Sequence, residues 1–425
     1  MTAARPHVVI VGGGFAGLQA AKGLSRLPVQ VTVVDRTNHH LFQPLLYQVA
    51  MAALNPADIA QPIRSILRQG RNTEVLLAEA ARVDAGTRQL HLTDGAVLEY
   101  DYLILAPGVR HSYFGKPAWE QLAPGLKTVE DALEIRRRVL LAFERAERAT
   151  TPEERHRLLT FVVVGGGPTG VEVAGALAEI KRYALTRDFR HIDPRDATVV
   201  LLEGGPRLLP SYPGNLSQKA KETLRELGVD VRIDSMVTGM EEGAVASVGW
   251  RIPTDTVVWA AGSVGNPLLA TVGAPLDRIG RVVVDPDCAV PGHPEILVLG
   301  DGAAYTHDPR FETLPGIAPV AIQQGRYVAE AIRADLAGRA RRPFRYVDKG
   351  QLAVIGRGRA VADIGPIRTS GFLAWLTWVF IHIFYLIGFA NRVVVLIQWA
   401  ISYVTFKRGA RLITRSWRPA GPPPA

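Results

Sequence analysis

Residues 8–18 read Val-Val-Ile-Val-Gly-Gly-Gly-Phe-Ala-Gly-Leu, and residues 161–171 read Phe-Val-Val-Val-Gly-Gly-Gly-Pro-Thr-Gly-Val. Each is a β-branched run feeding a Gly-rich turn and then a helix, the arrangement that seats a dinucleotide pyrophosphate on a helix N-terminus. In the first copy Gly12 permits the tight turn, Gly14 lets backbone approach phosphate and Gly17 lets helix pack on strand. Asp35 ends the next apolar run, where a carboxylate is expected to accept hydrogen bonds from an adenosine ribose. The second copy uses Gly165, Gly167 and Gly170, and its acid, Glu203, comes late because a polar insertion of about 181–196 intervenes. A carboxylate there favours the free 2′-hydroxyl of NADH over the 2′-phosphate of NADPH, while Arg207 close by softens that preference. Two copies in matching contexts imply a protein that holds two dinucleotides and passes electrons between them.

The rest of the composition narrows where those electrons go. At 425 residues, 48% of them hydrophobic and 21% charged, the chain suits two or three globular domains rather than disorder or a polytopic membrane protein. Its one cysteine, Cys288, excludes an intramolecular disulfide, a redox cysteine pair and an iron–sulfur cluster, and reads as a small buried residue. No secretory signal precedes the first glycine loop, so the catalytic body is expected to face the cytoplasm. The net charge of +9 is concentrated at the C-terminus: no acid follows Asp363, whereas Arg368, Arg392, Lys407, Arg408, Arg411, Arg415 and Arg418 do. These charges flank long apolar segments, which fits an anionic membrane surface better than nucleic acid.

Local signals place the remaining elements. Thr128 and Asp131 form a capping-box start for a helix to about residue 150, and Gly228 stops a helix over 215–227. Strands are expected at 74–83, 89–92, 97–101, 102–106, 229–233, 255–260 and 296–299, with a small β-like piece at 351–362. The expected fold class is α/β, with two Rossmann-like domains followed by a membrane-attachment region. Residues 1–115 and 281–345 form a discontinuous first nucleotide domain, 116–280 an inserted second one, and 346–425 the C-terminal region.

With these residues in hand the chain resembles the two-dinucleotide-binding flavoproteins, in which FAD fills the first site and a nicotinamide cofactor the second. Ala106-Pro107-Gly108, Trp259-Ala260-Ala261-Gly262 and Gly300-Asp301 match that pattern, and Asp301 is similar to the ribityl-binding aspartate. More closely, it resembles the type II NADH:quinone oxidoreductases, through residues 38–48 (Asn-His-His-Leu-Phe-Gln-Pro-Leu-Leu-Tyr-Gln) and 170–175 (Gly-Val-Glu-Val-Ala-Gly). The resemblance implies a non-covalent FAD held by Gly12, Gly13, Gly14, Phe15, Ala16, Gly17, Asp35, His39, His40, Val83, Ala106, Gly108, Asp301, Ala318 and Pro319. It implies NADH at Gly165, Gly167, Gly170, Glu172, Glu203 and Gly262. The family's quinone-side motif Ala-Gln-x-Ala-x-Gln appears as Ala318-Pro319-Val320-Ala321-Ile322-Gln323, with proline replacing the first glutamine. Gln323 and Gln324 are the quinone candidates. No metal site is expected.

Glu172 is the candidate catalytic carboxylate, positioning nicotinamide or relaying protons; the bland alternative is that it complements the helix dipole. Residues 371–390 carry no formal charge unless His382 is protonated, and 393–406 continue the apolar tail. Asn391, Gln398, Ser402 and Thr405 fall on one helical face, as in a helix lying in the interface, with Trp375, Trp378, Tyr385, Trp399 and Tyr403 as anchors. A transmembrane hairpin and a homodimer interface are the alternatives for this tail. The implied function is a peripheral, non-pumping NADH:quinone reductase on the cytoplasmic face of the inner membrane. A reductase of a soluble carrier or specialised naphthoquinone, and an NADH-sensing flavoprotein, are the rivals.

Overall fold

The computed structural model describes residues 5–185, 188–405 and 410–413. The chain forms two compact units. The first comprises Met1–Leu41, Ala60–Ser112 and Ser263–Lys349, the second Phe42–Ile59, Tyr113–Gly262 and Gly350–Ala425.

In the first unit, β1 (His7–Val11), α1 (Phe15–Leu24) and β2 (Gln30–Asp35) form the strand–helix–strand core. A six-stranded sheet runs in the order Ala289–Val290, His293–Val298, Tyr102–Leu105, β1, β2, Thr73–Leu77, parallel except for the first pair. Ile10 aligns with Val33 on one side and Ile104 on the other, so the middle of the sheet is apolar and fully buried. This is why its strands read as unbroken hydrophobic runs rather than alternating ones. The expected strand over 74–83 is two strands, Thr73–Leu77 and Ala80–Asp84, because the chain leaves the sheet to begin a three-stranded antiparallel meander. The helix Ala318–Leu336 packs on α1 so tightly that a Cβ on Gly325 would lie 2.2 Å from the Ala16 carbonyl.

The second unit repeats the core with β3 (Thr160–Val164), α2 (Pro168–Glu179) and β4 (Thr198–Leu202). Its parallel sheet runs Val229–Arg232, β4, β3, Thr256–Trp259. The helix Val129–Glu147 carries the capping box expected of Thr128 and Asp131, and Gly228, at φ +83°, follows the helix Gly214–Glu226. Three antiparallel strands, β5 (Gln351–Gly356), β6 (Arg359–Ile364) and β7 (Ile367–Gly371), extend the expected β-like piece. β5 lies directly on α2. A Cβ on Gly175 would stand 1.7 Å from the Ile355 carbonyl oxygen, so only glycine admits this contact.

The unit boundaries fall elsewhere than the expected 115/116, 280/281 and 345/346. Ser263–Gly265 pairs antiparallel with Val109–His111, which holds residues after Gly262 in the first unit. His39–Leu41 pairs with Ala60–Pro62, closing off Phe42–Ile59 as an excursion that packs in the second. Beyond residue 349 the chain is built into the second unit through β5 on α2.

After β7 come α3 (Phe372–Tyr385) and α4 (Phe389–Thr405), separated by residues 386–388. No helix among the described residues is long and apolar enough to cross a membrane.

Candidate functional site

In the first loop Gly12, at φ +100°, sits where a Cβ would come within 2.2 Å of the Ala106 carbonyl, and Gly17 where it would come within 1.9 Å of the Gly12 carbonyl. Protein packing therefore dictates both. Gly14 differs: its φ is −70° and a Cβ there would meet nothing within 4 Å. Open space above an unstrained glycine is the cradle a pyrophosphate requires, so the residues fit the dinucleotide. Asp35 accepts from the Gly13 amide (2.6 Å), the Thr37 amide (2.7 Å) and the Thr37 hydroxyl (2.8 Å). The carboxylate thus braces the loop and keeps lone-pair capacity for ribose hydroxyls.

His40 is buried and its Nδ1 lies 2.9 Å from the Gly13 carbonyl. Burial lowers its pKa, so the ring is neutral. A carbonyl only accepts, which puts the proton on Nδ1 and leaves Nε2 a buried acceptor without a partner among the described residues. Phe15 meets the ring edge-on. His39 is nearer the surface, with Nδ1 beside Asn38 Oδ1.

The other expected flavin residues lie on the same unit. Ala106 donates to the Val11 carbonyl and Gly108 takes φ +69°. The Val83 amide donates to Thr271 Oγ1. Asp301 occupies a short 3₁₀ turn, Gly300–Gly302, against Gly316, where a Cβ would stand 3.1 Å from its carboxyl carbon. Ala16 is buried, and Ala318 and Pro319 open the helix Ala318–Leu336.

The second loop reproduces the first. A Cβ on Gly165 would lie 2.7 Å from the Ala260 carbonyl, one on Gly170 would lie 1.8 Å from the Gly165 carbonyl, and one on Gly167 would meet open space. Glu203 accepts from the Gly166 and Gly205 amides, both at 2.6 Å. Arg207 donates to the Pro210 carbonyl. Gly262, at φ +71°, closes the Trp259–Gly262 turn.

Glu172 stands on α2 beyond its first turn, which contains no acid, so dipole complementation does not account for it. It lines a cavity of about 120 Å³ in the second unit, together with Tyr47, Gln48, Ala176, Glu179, Tyr183, Val354–Arg357 and the indoles of Trp375, Trp378 and Trp399. Burial pushes the Glu172 carboxyl up to about 8, and the Val354 amide only partly offsets this. The Trp399 indole donates to Gln48 Oε1 (2.7 Å), and Gln48 Nε2 donates to the Tyr47 hydroxyl (3.0 Å). Neither the tryptophans nor Tyr47, Gln48 and Glu179 had been singled out as lining a site. Glu179 had a readable signal, helical spacing of seven from Glu172 on one face.

Gln323 and Gln324 do not line this cavity. Gln323 clasps the Val347 backbone through both ends of its amide, at 2.9 Å each. Gln324 is wholly buried and accepts from the Gly300 amide at 2.6 Å, bracing the turn that carries Asp301. Cys288 is buried, and burial raises its thiol pKa well above the usual range. The described residues contain no group of side chains arranged to hold a metal ion.

The tail departs from the expected pattern. Asn391 turns inward and donates to the Ala57 and Asp58 carbonyls. Trp378 is buried, stacked on His382 (4.2 Å between centroids) and tilted against Trp399 (5.3 Å), so it is not an interfacial anchor. Apolar contacts with the protein outcompete the interface for these rings. Burial lowers the His382 pKa to about 4, leaving it neutral. The side chains that remain outward are aliphatic and phenyl: Phe372, Leu373, Leu376, Phe380 (76% exposed), Phe384, Leu396, Ile397 and Ile401. Lys407, Arg408, Arg415 and Arg418, and the side chains of Ser402, Tyr403 and Thr405, lie outside the described residues.

Two glycine loops of one geometry, each braced by its own carboxylate, define a two-dinucleotide flavoprotein, and the pyridine nucleotide-disulphide oxidoreductase family model matches residues 6–325. The chain belongs to that family. Within it the chain belongs with the type II NADH:quinone oxidoreductases: it is 45% identical to the Mycobacterium tuberculosis enzyme Ndh, over 96% of this chain and 90% of that one. It is 29% identical to the mitochondrial internal alternative NAD(P)H-ubiquinone oxidoreductase A1 of Arabidopsis thaliana, over 94% and 84%. The structure of Plasmodium falciparum NDH2 in complex with NADH superposes with a TM-score of 0.87 at 20% identity, covering 97% of this chain and all of that one.

Proposed function

We propose that this protein oxidises NADH through a bound FAD and reduces a membrane quinone, without pumping protons. The observation that carries the reading is the pair of braced glycine loops, joined in the second unit by a cavity that presents one proton-holding carboxylate, Glu172. Bound FAD supplies the two-electron chemistry that no side chain here can perform. Asp35, His40 and Asp301 hold it, with His40 Nε2 offered to a donor on the cofactor. Glu203 binds the adenosine ribose of NADH and repels a 2′-phosphate, and Arg207 is engaged elsewhere. Glu172 holds a proton at neutral pH for the reduced acceptor.

The protein attaches to the cytoplasmic face of the inner membrane as a monotopic enzyme. The exposed apolar stripe on α3 and α4 enters the lipid, and the basic tail meets its phosphates. Anaerobic mixing with NADH and then with ubiquinone or menaquinone analogues tests the redox reading. Rapid flavin bleaching and rapid reoxidation are expected. Rapid bleaching with slow reoxidation by every quinone would overturn it in favour of an NADH sensor. Co-sedimentation with anionic vesicles, lost in a Phe380→Asp/Phe384→Asp variant, tests attachment.

A further inference from the structure

Glu172 and Glu179 lie two helical turns apart on the same face of α2, about 10 Å along the axis, and both line the one cavity. Between them on that face come Gly175, covered by the Ile355 carbonyl, and Ala176, which lines the cavity. Across from Glu179 the wall is glycine: a Cβ on Gly356 would sit 3.1 Å from its Oε1, so a side chain there would crowd the carboxylate. The Arg357 amide donates to that same oxygen and holds the carboxylate in the cavity wall. The cavity of about 120 Å³ has room for several waters, and its polar lining, both acids included, can order them.

Net quinone reduction is NADH + H⁺ + Q → NAD⁺ + QH₂. Two electrons and one proton come with the hydride; the second proton comes from the medium. A carboxyl that gives up that proton must be reloaded once per turnover. We propose that Glu179 reloads Glu172 with the medium proton through water held over Ala176, so that this face of α2 is the proton-uptake route of the enzyme. The inference rests on the quinone-reductase reading. The titratable groups facing the two acids are Tyr47, Tyr183 and Arg357 in the cavity wall, and Tyr212, whose hydroxyl feels the charge of Glu172. The remaining wall from α3 and α4 is indole and valine, which neither donate nor accept a transferable proton at neutral pH.

The test compares two acceptors. Quinone takes up protons; ferricyanide takes electrons alone. In Glu179→Gln, quinone reduction should fall about tenfold, with a larger solvent isotope effect, while NADH:ferricyanide turnover stays at the level of the unaltered enzyme. Ala176→Val, which keeps both acids and fills the gap, should do the same. A small weak acid such as imidazolium should restore Glu179→Gln, and adding Glu179→Gln to Glu172→Gln should cost nothing more. Equal losses with both acceptors would show a structural role and overturn the relay, as would a Glu179→Gln enzyme that matches the unaltered one across pH. If the unaltered enzyme reduced ferricyanide but no quinone, the functional reading itself would fall, a result separate from these.

Discussion

The two glycine loops are the same object built twice, and the way each fixes its middle glycine separates them. In the first, the Gly13 amide goes to Asp35 and its carbonyl to the His40 ring. In the second, the Gly166 amide goes to Glu203, but its carbonyl is taken by the backbone amide of Leu209. A backbone donor is spent once used. A histidine is not, because its far nitrogen remains to grip a ligand. Asp35 also takes three hydrogen bonds where Glu203 takes two. The better-furnished loop suits a resident FAD and the plainer one a nicotinamide that leaves every turnover.

Valine substitutions at equivalent glycines would break that contrast most severely. Gly17→Val should yield colourless protein with no activity, since added carbons collide with the Gly12 carbonyl and displace the loop. Gly170→Val should retain flavin absorbance yet lose turnover at low NADH by on the order of 100-fold. Equal flavin loss in both would erase the proposed division of labour.

Glu172→Gln should keep flavin bleaching by NADH and lower quinone reduction by about 100-fold. Because burial raises this carboxyl to about 8, quinone turnover in the unaltered enzyme should fall as pH rises through 8, and the variant should lack that limb. The linked stability effect has a definite sign. Between the ordinary carboxyl value and about 8 the folded state binds the proton and the unfolded state does not, so this group makes stability decline as pH rises across that window. Denaturant titrations at the two ends, repeated in Glu172→Gln, measure it.

A smaller effect is expected from Glu203→Gln. Removing the charge should raise NADPH use relative to NADH about tenfold, roughly 1.4 kcal/mol, read as the ratio of the two kcat/KM values. Asp35→Asn should leave that ratio unchanged. Thr128→Ala removes a helix cap that belongs to neither glycine loop and should cost about 1 kcal/mol with both cofactor affinities intact, as a thermal melt would show.

Both loops were legible because their rule is local: glycines at fixed offsets after a strand, then an acid at the end of the next. The helix cap at Thr128 and the stop at Gly228 were legible for the same reason. The cavity was not, since its walls come from residues 47–53, 172–183, 354–357 and 375–399, which nothing in their own spacing connects. Trp378 was misplaced on physical grounds that a sequence cannot separate. An indole prefers leaving water, and a lipid interface and a protein cleft both satisfy it. Gln323 and Gln324 belonged to a recognisable motif, but hydrogen-bonding capacity does not say whether its partner is a ligand or the chain's own backbone. Here Gln323 bonds backbone through both ends of its amide and Gln324 through its oxygen alone.

The contact of Gly175 with the carbonyl of Ile355 sets a schedule for assembly. The helix that follows the second glycine loop has backbone, not side chain, as its outer neighbour, and that backbone is made late in synthesis. A ribosome that has released residue 349 has delivered every part of the first unit, while the second still shows one bare face of α2. The first unit can therefore mature on the nascent chain, whereas the second waits for the residues after 349. Clipping the tail would remove a wall of the enzyme's interior.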